Sequence, residues 1–355
     1  MATKPLTDEV LAATLAAVRE HGTRSAAARA LDIPRSTLDH RCNIAESRGI
    51  QPSSSGSLVN VELPTFAEPG DIPVPEILDV MERRFERRAA AHAERKWYNI
   101  KMKSNEVVCV NFVGDPHIDS NQCNISLLRR DLALMCQPGM FGVSIGDVTD
   151  GDWPGRLMRL HAKSDTSLDT ARRLADWLLN HSGVTWLAFI MGNHDLWGAD
   201  ADLMRARNIH SIPMSDWAAK WQISFPHGKR CRDISNHSFP GRSIWNTLHS
   251  NTRAAFQADA GGEDCHGLIV ASGHEHNWAI HQEENEHREF VYWLVRSRGY
   301  KFMDEYAERL GHPGQQHGST ISAIIDPTAD SNVRFTTCFA DVAEAADYLA
   351  WKRSR

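Results

Sequence analysis

Four short motifs constrain this chain more than anything else in it. Each groups carboxylate, amide or imidazole side chains around a glycine or a proline. Asp115-Pro116-His117 comes first, then Gly146-Asp147-Val148-Thr149-Asp150, then Gly192-Asn193-His194-Asp195, then Gly273-His274-Glu275-His276. Taken singly they say little. A lone Asp-x-His is more often a surface turn, and a lone Gly-Asn-His-Asp is often a helix start with Asn as its cap. Together, in this order, they supply the oxygen and imidazole donors that a two-metal phosphoester-cleaving site requires.

Each motif also follows an apolar run. Glu106–Val113, Phe141–Ile145 and Val184–Met191 read as strands, and so does Gly267–Ser272 before the last motif. Helical patterns over Ile125–Met135 and Asp169–His181 separate the first three. Strand, helix, strand, helix, strand predicts an α/β domain, whose ligands gather at the carboxyl ends of its strands. Further strands are expected at Arg232–Ser235, Val291–Val295, Thr320–Ile325 and Val333–Thr337, and a closing helix at Asp341–Lys352. This main domain is expected over residues 105–355.

The N-terminal part reads differently. Residues 1–50 show three short helical patterns: one from Thr7 to His21-Gly22, one over Arg24–Leu31, and one over Arg35–Glu46 after the turn Asp32-Ile33-Pro34. The second and third of these resemble the helix-turn-helix of bacterial Fis-like regulators. Small residues in the second helix let the third pack closely. That resemblance implies DNA as a partner, with the third helix in the major groove. Arg35, Ser36, His40 and Arg41 are its candidate base or phosphate contacts, and Leu38 and Ala45 its core. Residues 51–75 hold a serine-rich run and five prolines with little periodicity, and are expected to form a flexible linker. Residues 76–104 are a connector whose Glu76–Lys96 stretch reads as a charged helix with facing pairs at helical spacing.

The four motifs resemble those of the calcineurin-like metallophosphoesterase superfamily, particularly its phage and prophage members, over roughly residues 105–327. The resemblance implies a four-layer α/β/β/α sandwich with a dinuclear metal centre at the strand ends. It implies that Asp115 and His117 bind the first metal, that Asp147 bridges both, and that Asn193 binds the second. His274 would join the second metal and His276 the first. His194 would protonate the leaving group or bind phosphate, with Asp195 orienting it. The family also has a histidine at a strand end between the last two motifs. His237, after Arg232–Ser235, is preferred, with His249 as a loop residue that contacts substrate and His227 as a third choice. Asp150 reads as a loop acid rather than a ligand. Arg296, Arg298, Tyr300 and Lys301 are candidates for holding a phosphate, of which Arg296 and Arg298 are favoured.

Carboxylate, amide oxygen and imidazole together suit Mn first, and Fe, Zn or Ni, better than Ca or Mg. The expected activity is metal-dependent phosphodiester hydrolysis in nucleic acid, directed by the N-terminal module. The alternatives are a phosphomonoesterase, a small cyclic-nucleotide phosphodiesterase, or a DNA-binding regulator with a scaffold domain. A formal net charge of -6 argues against a surface that is basic throughout. Seven scattered cysteines without a Cys-x-x-Cys pair suggest a reducing compartment. No apolar run spans a bilayer, so no membrane partner is expected, and the expected location is the cytoplasm of a bacterial or phage-infected cell.

Overall fold

The computed structural model describes residues 6–50, 73–94, 97–152, 164–257, 265–285, 290–302 and 318–355. The expected linker falls almost wholly on residues 51–72, outside the described residues. The chain divides into two compact units, Met1–Asp79 and Val80–Arg355. The seven cysteines, all described, are free thiols. No helix among the described residues is long and apolar enough to cross a membrane.

In the first unit, α1 (Asp8–His21), α2 (Arg24–Ala30) and α3 (Arg35–Ser47) pack around Ala17, Ala27, Ala28, Leu38 and Cys42. Gly22 ends α1 in the left-handed conformation, φ 71°, and the Thr23 hydroxyl caps α2 by accepting the Ala26 N–H. The alanines of α2 leave room for α1 and α3 to meet, as the residue sizes suggest. Helix α4 (Val74–Glu94) corresponds to the expected charged helix and runs across the division between the units.

The second unit contains two six-stranded mixed sheets. The first sheet has β2 (Val108–Val113), β3 (Met140–Ser144), β4 (Trp186–Met191) and β5 (Met214–Asp216) running parallel. Beyond β2 it adds β11 (Ile321–Ile325) and β12 (Thr336–Phe339), both antiparallel to their neighbours. The second sheet has the order β1 (Tyr98–Lys101), β6 (Ala218–Ser224), β7 (Arg230–Asn236), β8 (Gly267–Ser272), β10 (Phe290–Arg296), β9 (Ala279–Asn285). Its β7, β8 and β10 are mutually parallel.

Alternation along the strands explains the packing. Val108, Val110 and Phe112 of β2 enter a buried cluster shared with Trp221, Ile223, Ile269 and Ala271 of the second sheet. Cys109 and Val113 enter a different cluster. It includes Leu128, Leu132 and Met135 of α5 (Ile125–Met135), Leu178 and Leu179 of α6 (Leu168–Asn180), and Leu349 of α11 (Val342–Arg353). On the second sheet, Leu268, Val270, Tyr292 and Leu294 pack with Ala255 of α9 (His249–Gln257). Strands β2, β4 and β8 are buried along their whole length, as expected where both faces of a strand are covered. Each of these large side chains contributes roughly 1.5–3 kcal/mol through burial.

Several expectations need correction. Strand β1 pairs with β6, so the sheet begins before residue 105. The stretch Val333–Thr337 is not one strand: α10 (Asn332–Phe335) buries Phe335, and only then does β12 begin. Strands β5, β6 and β9 were not expected.

Candidate metal centre

All four motifs meet at the carboxyl ends of parallel strands. Asp115 and His117 follow β2, Asp147 follows β3, Asn193 opens α7 (Asn193–Trp197, with α8 at Asp200–Ala206 next) after β4, His237 follows β7, and His274 and His276 follow β8. The loops are tied together by main-chain bonds. The N–H groups of Asp115 and His117 donate to the carbonyls of Gly146 and Asp147 at 3.1 Å each, and the Gly273 N–H donates to the His237 carbonyl at 3.1 Å. Asp115, His117, Asp147, His274 and His276 all have positive φ, from 41° to 70°. Such conformations cost roughly 1–3 kcal/mol each and persist where the surroundings over-determine them. Gly146 (φ 100°) and Gly192 explain why glycine precedes two of the motifs. A Cβ on Gly146 would lie 2.5 Å from the Gly192 nitrogen, and one on Gly192 would meet the Asp147 carboxylate.

The side chains converge closely. Asp115, His117 and His276 form one cluster able to hold a metal ion, Asp147, His237 and His274 another, and His117, Asp147 and His194 a third that joins them. His117 Nε2 lies 3.3 Å from His276 Nε2, and His276 Nε2 lies 3.7 Å from Asp115 Oδ1. His237 Nε2 lies 3.0 Å from Asn193 Oδ1, 3.1 Å from His274 Nδ1 and 3.3 Å from Asp147 Oδ2. Asp147 Oδ2 is also 4.0 Å from His117 Nε2, which sets it between the two clusters. One ring proton cannot satisfy three acceptors around His237 Nε2. A shared cation can, and the carboxylate, amide and imidazole set fits a divalent transition metal. His237, not His249, is therefore the strand-end histidine of this cluster. His227 lies at the other end of β7, where its ring bonds the Pro327 carbonyl at 2.9 Å.

The electrostatics follow from burial of opposite charges. Burial opposes ionisation of Asp147, but the rings of His237, His194 and His117 outweigh it and hold its carboxyl well below the usual range. Burial also opposes the charge on His237, yet Asp147 and Asp115 raise its pKa to about 10. Burial, with a smaller push from Asp147, lifts Asp115 to about 6. His276 is pushed well below its ordinary value by burial and by His117. A cation among these donors would displace the His237 proton, because metal ligands must give up their protons.

The support around the donors is specific. His237 Nδ1 bonds the Ile145 carbonyl at 2.8 Å, which leaves Nε2 to face the cluster. His117 Nδ1 lies 2.9 Å from Asp150 Oδ1, and Lys301 Nζ donates to that same oxygen at 2.7 Å. Asp150 thus orients a donor without belonging to the cluster, in keeping with its reading as a loop acid. Lys301 is a support rather than a phosphate contact, and Tyr300 is buried with its hydroxyl donating to Asp131 at 2.8 Å. Asp119, which sequence reasoning missed, accepts the Asp150 N–H at 2.7 Å.

Asp195 is a correction. It was expected to orient the His194 ring. Its oxygens instead accept the N–H groups of Asp147 and Gly192 at 2.8 Å each and of Val148 at 3.1 Å. The His194 ring is set by the Asp150 carbonyl, 2.7 Å from Nδ1, while the backbone N–H of His194 donates to Asp147 Oδ1 at 2.9 Å. Burial lowers the His194 pKa to about 4.

Arg298 is a second correction. Its guanidinium donates to the Ala340 carbonyl at 2.9 Å and the Ser319 carbonyl at 3.4 Å, so it braces a loop rather than facing the metal cluster. His249 is a third, since it starts α9 rather than lying in a loop. His249 and Arg296 both line a cavity of about 390 Å³ beside Gly273. In the first unit, Arg35, Ser36 and His40 are exposed on α3 and Arg41 is half-buried, while Leu38 and Ala45 are core. Arg35 is paired with Asp39 at 3.4 Å.

No family model matches the chain, and no curated protein matches it. Among solved structures it is similar to one described as GAP50, the anchor in the inner membrane complex of Plasmodium. The identity is 11% and the TM-score 0.32, over 69% of this chain and 94% of that one. A likeness that weak carries no inference about this chain.

Proposed function

We propose that the second unit is a dinuclear-metal-dependent phosphoesterase whose preferred bond is a phosphodiester, in nucleic acid first of all. We read its two sheets and flanking helices as the four-layer α/β/β/α sandwich of the calcineurin-like metallophosphoesterases, and α1–α3 as a helix-turn-helix. One observation carries the reading. Donors from five strand ends converge in three overlapping groups able to hold a metal ion, two of which share Asp147, with Asn193 beside His237.

Asp115, His117 and His276 would hold one ion, Asn193, His237 and His274 the other, and Asp147 both. When bound, two divalent ions, Mn first, supply Lewis-acid polarisation of a phosphoryl oxygen and acidify water. The protein's own part is positioning and proton handling. The Ile145 carbonyl holds the His237 ring in one tautomer, and the Asp150 carboxylate stands beside His117 Nδ1. His194 donates Nδ1–H to the Asp150 carbonyl. Its Nε2 is then the basic nitrogen, able to take up a proton and return it to the departing oxygen.

The test is hydrolysis by the purified, manganese-loaded chain of DNA, RNA, bis(p-nitrophenyl) phosphate and p-nitrophenyl phosphate. Diester cleavage that disappears in Asp147→Asn is expected. Cleavage of the monoester alone would turn the reading to a phosphomonoesterase. Cleavage of nothing, with DNA binding intact in Asp147→Asn, would turn it to a regulator with a scaffold domain.

A further inference from the structure

The cavity beside the metal cluster contains a buried guanidinium that makes no hydrogen bond or close ion pair to a carboxylate among the described residues. Arg296 ends β10, opposite Ser272 in register, and is 8% exposed. Its guanidinium donates to Ser250 Oγ at 2.8 Å, Asn277 Oδ1 at 3.4 Å and Asn251 Oδ1 at 3.5 Å. Those acceptors are all neutral, and Nε is buried without a hydrogen-bond partner. Glu275 and Asp115 act on it only from a distance, and Glu275 is shared with Arg242, so burial still opposes the charge and a counter-charge in the cavity would offset that cost. Asn251 is itself locked, donating to the Val270 and Val295 carbonyls at 3.2 Å and 3.1 Å, so the guanidinium is aimed by a rigid platform.

Other features of the cavity favour an anion. His249 and Ser250, which line it, open the nine-residue helix α9, so the positive end of that helix faces the cavity, although the His249 N–H itself donates to the Asn246 carbonyl at 3.1 Å. Arg242 lines it as well. The lining acid, Glu275, is 3.2 Å from the Arg242 guanidinium. Gly273 forms part of the wall and His274 follows it directly, so the cavity borders the metal donors. A volume of about 390 Å³ exceeds what one phosphate needs and falls in the range of small-ligand sites.

We infer that this cavity is an anion subsite that receives a phosphate of the substrate other than the one being cleaved. The inference rests on the phosphoesterase reading and sharpens it. The substrate class becomes a diester with a neighbouring phosphate, as in a nucleic-acid strand, rather than a cyclic nucleotide or simple monoester carrying a single phosphate.

The first measurement needs no metal and no turnover. Inorganic phosphate is titrated calorimetrically into the metal-free full chain at low ionic strength. One site is expected, weakened at least tenfold in Arg296→Met, several-fold in Arg296→Lys, and about threefold in Arg242→Met, which alters an exposed side chain and keeps the test open if the buried variants do not fold. Asp147→Asn should bind phosphate as wild type does. No binding, or binding lost in Asp147→Asn and retained in the arginine variants, overturns the subsite. The second measurement, with manganese present, compares thymidine 3′,5′-bisphosphate with thymidine 5′-monophosphate. The bisphosphate should bind at least tenfold tighter, and Arg242→Met should narrow that gap. Equal binding of the two overturns the assignment of the cavity to a second phosphate. If phosphate binds as expected but no ester is cleaved, the phosphoesterase reading fails while the anion subsite stands.

Discussion

At the scale of single residues, the site is a set of donors held in costly conformations by neighbours that never touch a ligand. Asp195 shows this most clearly. Its buried carboxylate gathers three backbone N–H groups from the loops that present Asp147 and Asn193. Asp195→Ala strands those donors at roughly 1–3 kcal/mol each, a loss that a urea melt would register. Asp195→Asn keeps the volume but puts an amide where only acceptors fit. It should weaken manganese affinity roughly 10–100-fold by calorimetry, the usual effect of removing a ligand's support. If affinity is unchanged, the loops are rigid without it. His194→Gln separates proton transfer from ligation: turnover should fall roughly 10²–10⁴-fold while bound metal stays constant. Loss of metal along with turnover would make His194 a ligand. The donors were legible in the sequence because each motif places its ligands within a few residues of a strand end. The roles of Asp195, Arg298 and Lys301 were not, because their partners come from distant parts of the chain. Asp150 and Lys301, for example, are 151 positions apart.

At the scale of elements, glycine positions and strand faces decide what the site tolerates. Gly192 joins β4 to α7 where a methyl group would meet the Asp147 carboxylate, the Asp147 nitrogen and the His237 ring. Gly192→Ala should therefore lower metal affinity more than it lowers the unfolding free energy; the reverse order would mean that the loop absorbs the methyl at no cost to the donors. A different effect belongs to β7, where Asp233 shares the inward face of Cys231 and is 1% exposed. Burial pushes its carboxyl well above the usual range, so the folded chain keeps a proton there that the unfolded chain releases near pH 4. The folded state binds more protons, so this residue's contribution to stability falls as pH rises above about 4, by up to about 1.4 kcal/mol per pH unit. Asp233→Asn should flatten stability against pH between 4 and 7, as read from urea midpoints. An unchanged slope would contradict a neutral Asp233. Strands buried on both faces announced themselves as apolar runs. The edge strand β9, Ala-Ile-His-Gln-Glu-Glu-Asn, did not, because one neighbour and a polar face leave no run to find. The short β5, Met-Ser-Asp, is held only by β4 within its sheet, and pattern alone does not reveal such a strand.

At the scale of the whole molecule, a small helical unit and a large α/β unit are each built around cores of their own. The sequence changes composition at residue 51, whereas the compact units divide at Asp79/Val80, inside the charged helix α4, which pattern alone reads as one element. The first unit tests the nucleic-acid reading separately. If α3 contacts phosphates, Arg35→Gln and Arg41→Gln should each reduce the slope of log affinity against log salt by about 0.9 in fluorescence anisotropy with duplex DNA. A slope that does not change removes α3 from the interface and leaves the second unit's chemistry untouched. The central claim concerns that second unit, and manganese anomalous diffraction from crystals of the full chain tests it most directly. Two anomalous peaks are expected, one against Asp115, His117 and His276, one against Asn193, His237 and His274, with Asp147 touching both. A single peak elsewhere, or no peak among these seven side chains at saturating manganese, would contradict it.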